Sequence, residues 1–252
     1  RGDRMKPLFM WAGGKTRLIK KYKAKEVLPV SFGSYVEPFL GAGAMFVWAY
    51  EQNPNARFVL NDYNAAIMNI YTVIRDDCDA FMQRVDILSE AYLPLTKEKR
   101  KEFYYALRGL LNQKDKVYDK ENVREWNEAL QKCILLTGDF EPTLSHVRHD
   151  SYVFLDPPYR GSFTQYGVDF DDKMQNRVIN FLNDSTSAGA YVIMSNRDVG
   201  DGFFESRTGN NRLIYFDVTY TAGRRKKNED GTHSAKKARE ILMIGEAHGP
   251  KN

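Results

Sequence analysis

Short, continuous apolar runs separated by helical patterning set the frame of this chain. Arg57 to Asn61 encloses Phe58-Val59-Leu60, and Ser34 to Glu37, Tyr152 to Leu155 and Tyr191 to Met194 have the same texture. Runs of this length and continuity predict buried strands. After the second strand, Asn64 to Arg75 places Ile67, Ile70, Tyr71 and Ile74 at helical spacing, with Asn64 as the capping residue. Strand and helix in alternation predict an open, mainly parallel α/β sheet.

From Asp76 to Leu130 the pattern changes to charged, Tyr-rich amphipathic segments such as Lys97 to Leu111 and Glu121 to Leu130, without strand signals. This stretch, 76–130, reads as a helical insertion dividing one catalytic domain made of 1–75 and 131–252. The last third returns to strand patterns at Leu213 to Thr221 and Glu240 to Gly245. The polar segment Gly223 to Arg239 between them reads as a long loop joining two paired strands. No internal repeat is found.

Composition adds bounds rather than direction. An apolar share of 42% over 252 residues can fill a core of this size. Lys and Arg total 37 against 33 Asp and Glu, so attraction to nucleic acid must come from local clusters. Cys78 and Cys133 have no zinc-type spacing, and no metal is expected. There is no apolar run of membrane-spanning length, and Arg1 to Met5 lacks the apolar stretch of a signal peptide, so the expectation is a cytoplasmic protein.

The sharpest chemical signal is Asp156-Pro157-Pro158-Tyr159, directly after the apolar strand Tyr152 to Leu155. Ligand sites of open α/β sheets lie at the carboxyl ends of strands. Two prolines remove backbone donors and hold the chain extended, so a carbonyl and the Asp156 carboxylate can point together at an amino group. An exocyclic amine is a poor nucleophile because its lone pair is delocalised into the ring. Two acceptors holding its hydrogens favour the pyramidal geometry that frees the pair. Tyr159 can stack on the base. Alone, an acid-Pro-Pro-aromatic run also reads as a turn after a strand.

Three further segments accompany it. Val36-Glu37-Pro38-Phe39-Leu40-Gly41-Ala42-Gly43-Ala44 is a strand followed by a tight Gly-x-Gly turn into an apolar helix, where glycines let a ligand approach the backbone. About twenty residues later Asp62 stands where dinucleotide folds place an acid on ribose hydroxyls, although an Asp there also reads as a helix cap. The full GxGxxG is absent, which disfavours a nicotinamide cofactor. Thr137-Gly138-Asp139-Phe140 follows the apolar strand Ile134 to Leu136, where Asp139 can accept from an adenine amine and Phe140 line its ring. Near the start, Phe9-Met10-Trp11-Ala12-Gly13-Gly14-Lys15 offers Trp11 to a sulfonium and Lys15 to a carboxylate or phosphate. It lacks the glycine spacing of a phosphate loop, which disfavours an ATPase.

In this order, these four segments resemble the Dam family of adenine-specific DNA methyltransferases, of class alpha or D12 type, whose motifs run from WxGGK to DPPY. The likeness covers the first seventy-odd residues, Ile134 to Phe170, and the stretches near Tyr191 to Asn196 and Thr219 to Ile244. It implies a Rossmann-like S-adenosyl-methionine-dependent methyltransferase fold, a mainly parallel sheet with a reversed terminal hairpin, plus the helical target-recognition insertion. It further implies that Trp11, Lys15, Gly41 and Gly43 contact the methionine part of the cofactor, with Glu37 and Pro38 beside them. Asp62 would take the ribose, Asp139 and Phe140 the cofactor's adenine, and Asp156 to Tyr159 the target base, with Asp156 also lining the cofactor pocket. The segment Phe163-Thr164-Gln165-Tyr166 resembles the family's mobile loop. One departure stands out: Asn112-Gln113-Lys114-Asp115-Lys116 runs straight into Val117-Tyr118, where the family carries an aromatic, Asn-Gly-containing stretch leading to a DNA-contacting hairpin. Either the target-recognition region is reduced, or residues are missing at that junction.

Contact with double-stranded DNA then rests on Arg224, Arg225, Lys226, Lys227, Lys236 and Lys237, a cluster able to grip phosphates with salt-dependent affinity. The expected reaction is methylation of the 6-amino group of a flipped adenine by a monomeric enzyme. Ring methylation of cytosine needs a nucleophilic cysteine, and neither Cys78 nor Cys133 follows a proline. Two rivals stay open at this level: methylation of RNA adenine or another amine, and a catalytically silent DNA-binding protein on the same fold.

Overall fold

The apolar runs become neighbouring strands of one sheet. The structure, a computed structural model, describes residues 5–9, 16–100, 118–161, 170–220, 226–227, 233–234 and 236–246. In chain order the elements are α1 (Thr16–Ala24), β1 (Ser34–Glu37), α2 (Ala44–Gln52), β2 (Arg57–Asp62), α3 (Ala65–Asp76), α4 (Cys78–Tyr92), α5 (Lys120–Leu130), β3 (Cys133–Thr137), β4 (Ser151–Leu155), α6 (Asp172–Ser187), β5 (Tyr191–Asp198), β6 (Arg212–Tyr220), β7 (Lys226–Lys227), β8 (His233–Ser234) and β9 (Lys236–Gly245). The larger sheet runs β3-β2-β1-β4-β5-β9-β6. Its first five strands are parallel, and β9 is antiparallel to both β5 and β6. This is the expected mainly parallel sheet with a reversed terminal hairpin.

Both faces of the central strands are buried, which is why they read as continuous apolar runs rather than alternating ones. The two faces are nonetheless chemically distinct. Phe58, Tyr35, Tyr152 and Tyr191 stand in register across four strands. Their rings step across the sheet at 6.0, 5.3 and 6.3 Å between centroids. One residue further on, Val59, Val36, Val153 and Val192 form the row on the opposite face. Helices α2, α3 and α5 supply Phe46, Tyr71 and Trp126 to the aromatic side, whereas α6 supplies Val178, Phe181 and Leu182 to the valine side. Asn64 caps α3 as expected, its side chain accepting from the Ala66 and Ile67 amides at 3.0 and 3.3 Å.

Two sequence expectations shift. Glu121 to Leu130, expected in the insertion, lies in α5 and packs on α3 beside the sheet. Its Trp126 is fully buried, 5.2 Å from Phe46 and 5.1 Å from Tyr71. The apolar stripe of α5 is narrow, being Val123, Trp126, Ala129 and Leu130, so its charged outer face dominates the sequence texture. Helix α4 also packs on α3; 101–117 lies outside the described residues. Second, β9 begins at Lys236, where Tyr220 pairs with it, and β7 pairs with β8 inside the segment expected as a long loop. Backbone pairing does not need an apolar face, so these lysine-bearing strands leave no hydrophobic signal.

Candidate active site

Strands β1 and β4 lie side by side, but β1 continues to β2 on one flank while β4 continues to β5 on the other. A crevice opens at such a switch point, beyond the carboxyl ends of the strands. The Gly41–Gly43 turn follows β1 and Asp156 follows β4, so the two strongest sequence signals meet at one place.

The glycine turn is built around backbone that side chains resist. Gly41 and Gly43 have φ of 51° and 72°, in the left-handed region. A Cβ added at Gly43 would also lie 2.5 Å from Cη2 of Trp126. The turn is tied to its neighbours from both sides. The Gly41 amide donates to Asp62 Oδ2 at 2.8 Å, and the Tyr71 hydroxyl donates to the Gly41 carbonyl at 2.8 Å. Asn61, buried, donates through Nδ2 to the carbonyls of Pro38 and Gly138, both at 3.0 Å. One side-chain amide at the end of β2 thus links the loops after β1 and β3.

Asp62 does not cap α3; Asn64 does. The Asp62 carboxylate instead accepts from the Gly41 and Asn64 amides, the latter at 2.9 Å. Burial pushes its pKa up while these two N–H groups pull it down, and burial prevails. Glu37 is buried at the end of β1 and accepts from the Tyr35 hydroxyl at 2.7 Å. Burial holds its carboxyl well above the ordinary value of 4.5, with the Tyr35 hydrogen bond opposing.

A raised carboxyl pKa means that the folded chain binds this proton more tightly than the unfolded chain does. Its stabilising contribution is therefore complete below the unfolded value and is lost as pH rises through the folded one. Glu37→Gln removes that loss. Its melting temperature relative to wild type is expected to climb steadily as pH is raised from 4.5 toward 8; parallel melting curves would refute this.

Asp139 and Phe140 sit after β3, next to the other loops, but in firmer surroundings than expected. Arg177 of α6 holds both Asp139 carboxylate oxygens at 3.0 Å and Glu141 at 2.8 Å. Those contacts hold the guanidinium pKa above its usual value. Phe140 is buried, 5.2 Å from Phe39 and 5.8 Å from Phe181, with Arg177 over its ring at 5.0 Å. It packs as part of the core on the valine face of the sheet.

After β4, Pro157 is buried, while Asp156, Pro158 and Tyr159 are partly exposed. Ser195 Oγ donates to Asp156 Oδ1 at 2.7 Å. Gln175 Nε2 donates to the Pro158 carbonyl at 2.8 Å, and the Arg160 amide donates to Asn196 Oδ1 at 3.0 Å. None of Ser195, Asn196 and Gln175 was singled out for a role in the site. All three are buried polar residues, and the hydropathy pattern ends β5 just where the first two begin.

The amino-terminal segment is anchored beside the same turn. Asn122 Oδ1 accepts from the Lys6 amide at 2.8 Å, Trp126 Nε1 donates to the Lys6 carbonyl at 2.7 Å, and Phe9 packs 6.2 Å from Tyr71. Trp11 and Lys15 lie outside the described residues, as do Phe163, Thr164 and Tyr166, and Arg224 and Arg225. Only the backbone course is described for Lys226, Lys227, Lys236 and Lys237, on β7 and the start of β9. Among the described residues no cluster of His, Cys, Asp and Glu could hold a metal, and no helix is long and apolar enough to cross a membrane.

A Rossmann-like sheet with a reversed β6–β9 hairpin, carrying an acid-Pro-Pro-aromatic loop at its switch point, defines the class as a methyltransferase fold. Comparison with known proteins specifies the family. A model of D12 class N6 adenine-specific DNA methyltransferases matches residues 11–124 and 113–212. The type II methyltransferase M.MjaIII of Methanocaldococcus jannaschii is 28% identical, the match covering 76% of this chain and 84% of that protein. The retron Ec67 DNA adenine methylase of Escherichia coli is 28% identical over 77% of this chain and 78% of its own, and the DNA adenine methylase of Haemophilus influenzae 23% identical over 77% and 80%. The chain belongs to the D12 class N6 adenine-specific DNA methyltransferase family and is a DNA adenine methyltransferase.

Proposed function

We propose that the chain transfers the methyl group of S-adenosyl-L-methionine to the 6-amino group of an adenine flipped out of duplex DNA, with Asp156 to Tyr159 holding the base. The observation that carries this reading is the meeting, at the switch point, of a turn with two left-handed glycines, the Asp62 carboxylate and the Asp156 loop.

The residues present fit an adenosyl ligand. Gly41 is partly exposed beside Asp62, whose carboxylate keeps lone pairs to accept ribose hydroxyls while bound to two amides, and Gly43 lets the turn pack against Trp126. Glu37 and Pro38 border the turn, Trp11 and Lys15 would close over the methionine end, and Asp139 and Phe140 would take the adenine. Bound there, the cofactor supplies an electrophilic methyl group on its sulfonium. The Asp156 carboxylate and the Pro157 carbonyl would accept the two hydrogens of the adenine amine, freeing its lone pair, while Tyr159 stacks on the ring. The Pro158 carbonyl is taken by Gln175, which leaves the Pro157 carbonyl for that task. The cluster Arg224, Arg225, Lys226, Lys227, Lys236 and Lys237 would grip phosphates from the hairpin, and the stretch 76–130 would carry target recognition. A monomer suffices for all of these roles.

The test is transfer of radiolabelled methyl from S-adenosyl-methionine to duplex DNA and to RNA, followed by nucleoside analysis. Label in DNA as N6-methyladenine is expected. Label confined to RNA, or carried on cytosine, would overturn the proposal.

A further inference from the structure

We propose that Gln175 and Asn196 form a buried amide relay that positions the Asp156–Tyr159 loop for methyl transfer, with Gln175 the positioning residue on which the relay turns. The inference rests on the reading that this loop holds the target amine.

The two side chains pin the peptide groups on either side of Tyr159. Gln175 Nε2 donates to the carbonyl of Pro158, and Asn196 Oδ1 accepts from the amide of Arg160. They are joined to each other, Asn196 Nδ2 donating to Gln175 Oε1 at 2.8 Å. Both are fully buried. The polarity of the relay is forced from its ends, because a carbonyl only accepts and an amide N–H only donates. Neither side chain can rotate by half a turn without setting like against like in a site closed to water, where an unmet polar group is destabilising.

The relay is anchored outside the loop. Gln175 sits in the first turn of α6, and Asn196 Oδ1 also accepts from the Arg197 amide at 2.8 Å. On the solvent side Arg160 closes the arrangement. Its guanidinium bonds Asp172 at 2.7 and 2.9 Å and Asp201 at 2.9 Å, and lies 3.9 Å over the Phe203 ring. The loop is therefore gripped by α6 and β5 at the peptides flanking the residue expected to stack on the base. With the Pro158 carbonyl drawn toward Gln175, the preceding carbonyl, that of Pro157, is set in a fixed direction relative to the Asp156 carboxylate. A misplacement of about 1 Å at a reacting centre can cost about 10²-fold in rate.

Gln175→Glu makes the role visible through pH. A carboxyl in that position can donate to the Pro158 carbonyl only while protonated, and once ionised it faces a carbonyl oxygen. Single-turnover methyl transfer by wild type and variant is measured across pH on a duplex carrying the methylated site identified by product mapping. The same duplex with 2-aminopurine at the target reports flipping by fluorescence. S-adenosyl-methionine and DNA dissociation constants and melting temperatures are recorded alongside. The variant's rate relative to wild type is expected to fall by at least about ten-fold as pH rises, with both dissociation constants unchanged and the flipped base more weakly held. Gln175→Met, which keeps the volume and removes both hydrogen bonds, is expected to be slow at every pH, and it carries the test if the glutamate variant does not fold. A pH profile parallel to wild type, or a methionine variant at wild-type rate, would overturn the proposal. Wild-type inactivity on DNA adenine would instead refute the reading of the loop itself.

Discussion

Asp156→Ala is expected to lower single-turnover methyl transfer by about a hundred- to a thousand-fold, the usual loss when one preorganised partner of a reacting group is removed. The sequence alone suggests that folding would be untouched. The structure modifies that expectation, because Ser195 Oγ donates to Asp156 Oδ1 from a fully buried position. Truncation to alanine strands that donor at a cost of about 1–3 kcal/mol. Asp156→Asn is the sharper variant, since its amide oxygen can keep the Ser195 bond while its NH2 group meets the substrate amine donor to donor. Both variants should still bind S-adenosyl-methionine, measured calorimetrically, so that the loss falls mainly on turnover. Asp156→Asn should also melt close to wild type. Full methylation activity in either would remove the loop from the mechanism.

Trp126→Ala is expected to have the largest effect on stability. The side chain is fully buried between Phe46 and Tyr71, and it touches the glycine turn and the amino-terminal segment at once. Truncation of a buried aromatic costs about 3–5 kcal/mol, which lowers the melting temperature by about 6–20 °C in a chain of this size. The variant should also bind the cofactor more weakly than its stability loss explains, because the Lys6 carbonyl keeps only its longer bond from Asn122 Nδ2, at 3.2 Å, and Gly43 loses its backing ring. A melting temperature within a few degrees of wild type would place α5 outside the catalytic core, in the insertion to which the sequence pattern assigned it.

The strands of the parallel sheet were legible because burial on both faces leaves an uninterrupted apolar run. The Asn64 cap and the Gly-x-Gly turn were legible because a capping oxygen and a left-handed backbone each demand particular residue types. The packing of helix α5 on α3 was not legible, because a helix lying on a sheet needs only a narrow apolar stripe, and four residues do not outweigh a charged outer face. Strands β7 to β9 were read as loop up to Arg239 because their pairing is carried by the backbone.

The candidate site divides along the same line. Asp156, Asp62, Gly41 and Gly43 were found from sequence because their chemistry depends on residue type at a fixed place after a strand. Asn61, Gln175, Ser195 and Asn196 were not, since each is an ordinary polar residue until the fold buries it. Arg177 likewise acquires its hold on Asp139 only when α6 packs against the segment that follows β3.

By itself, then, the order of residues determined the sheet and the loops that bear the chemistry, because these are local consequences of hydropathy, backbone freedom and functional groups; the class of reaction came through the family resemblance that those loops carry. Tertiary structure alone decided which buried amides hold those loops, because a hydrogen-bond partner 17 or 36 residues away is chosen by packing in space and leaves no periodicity in the chain.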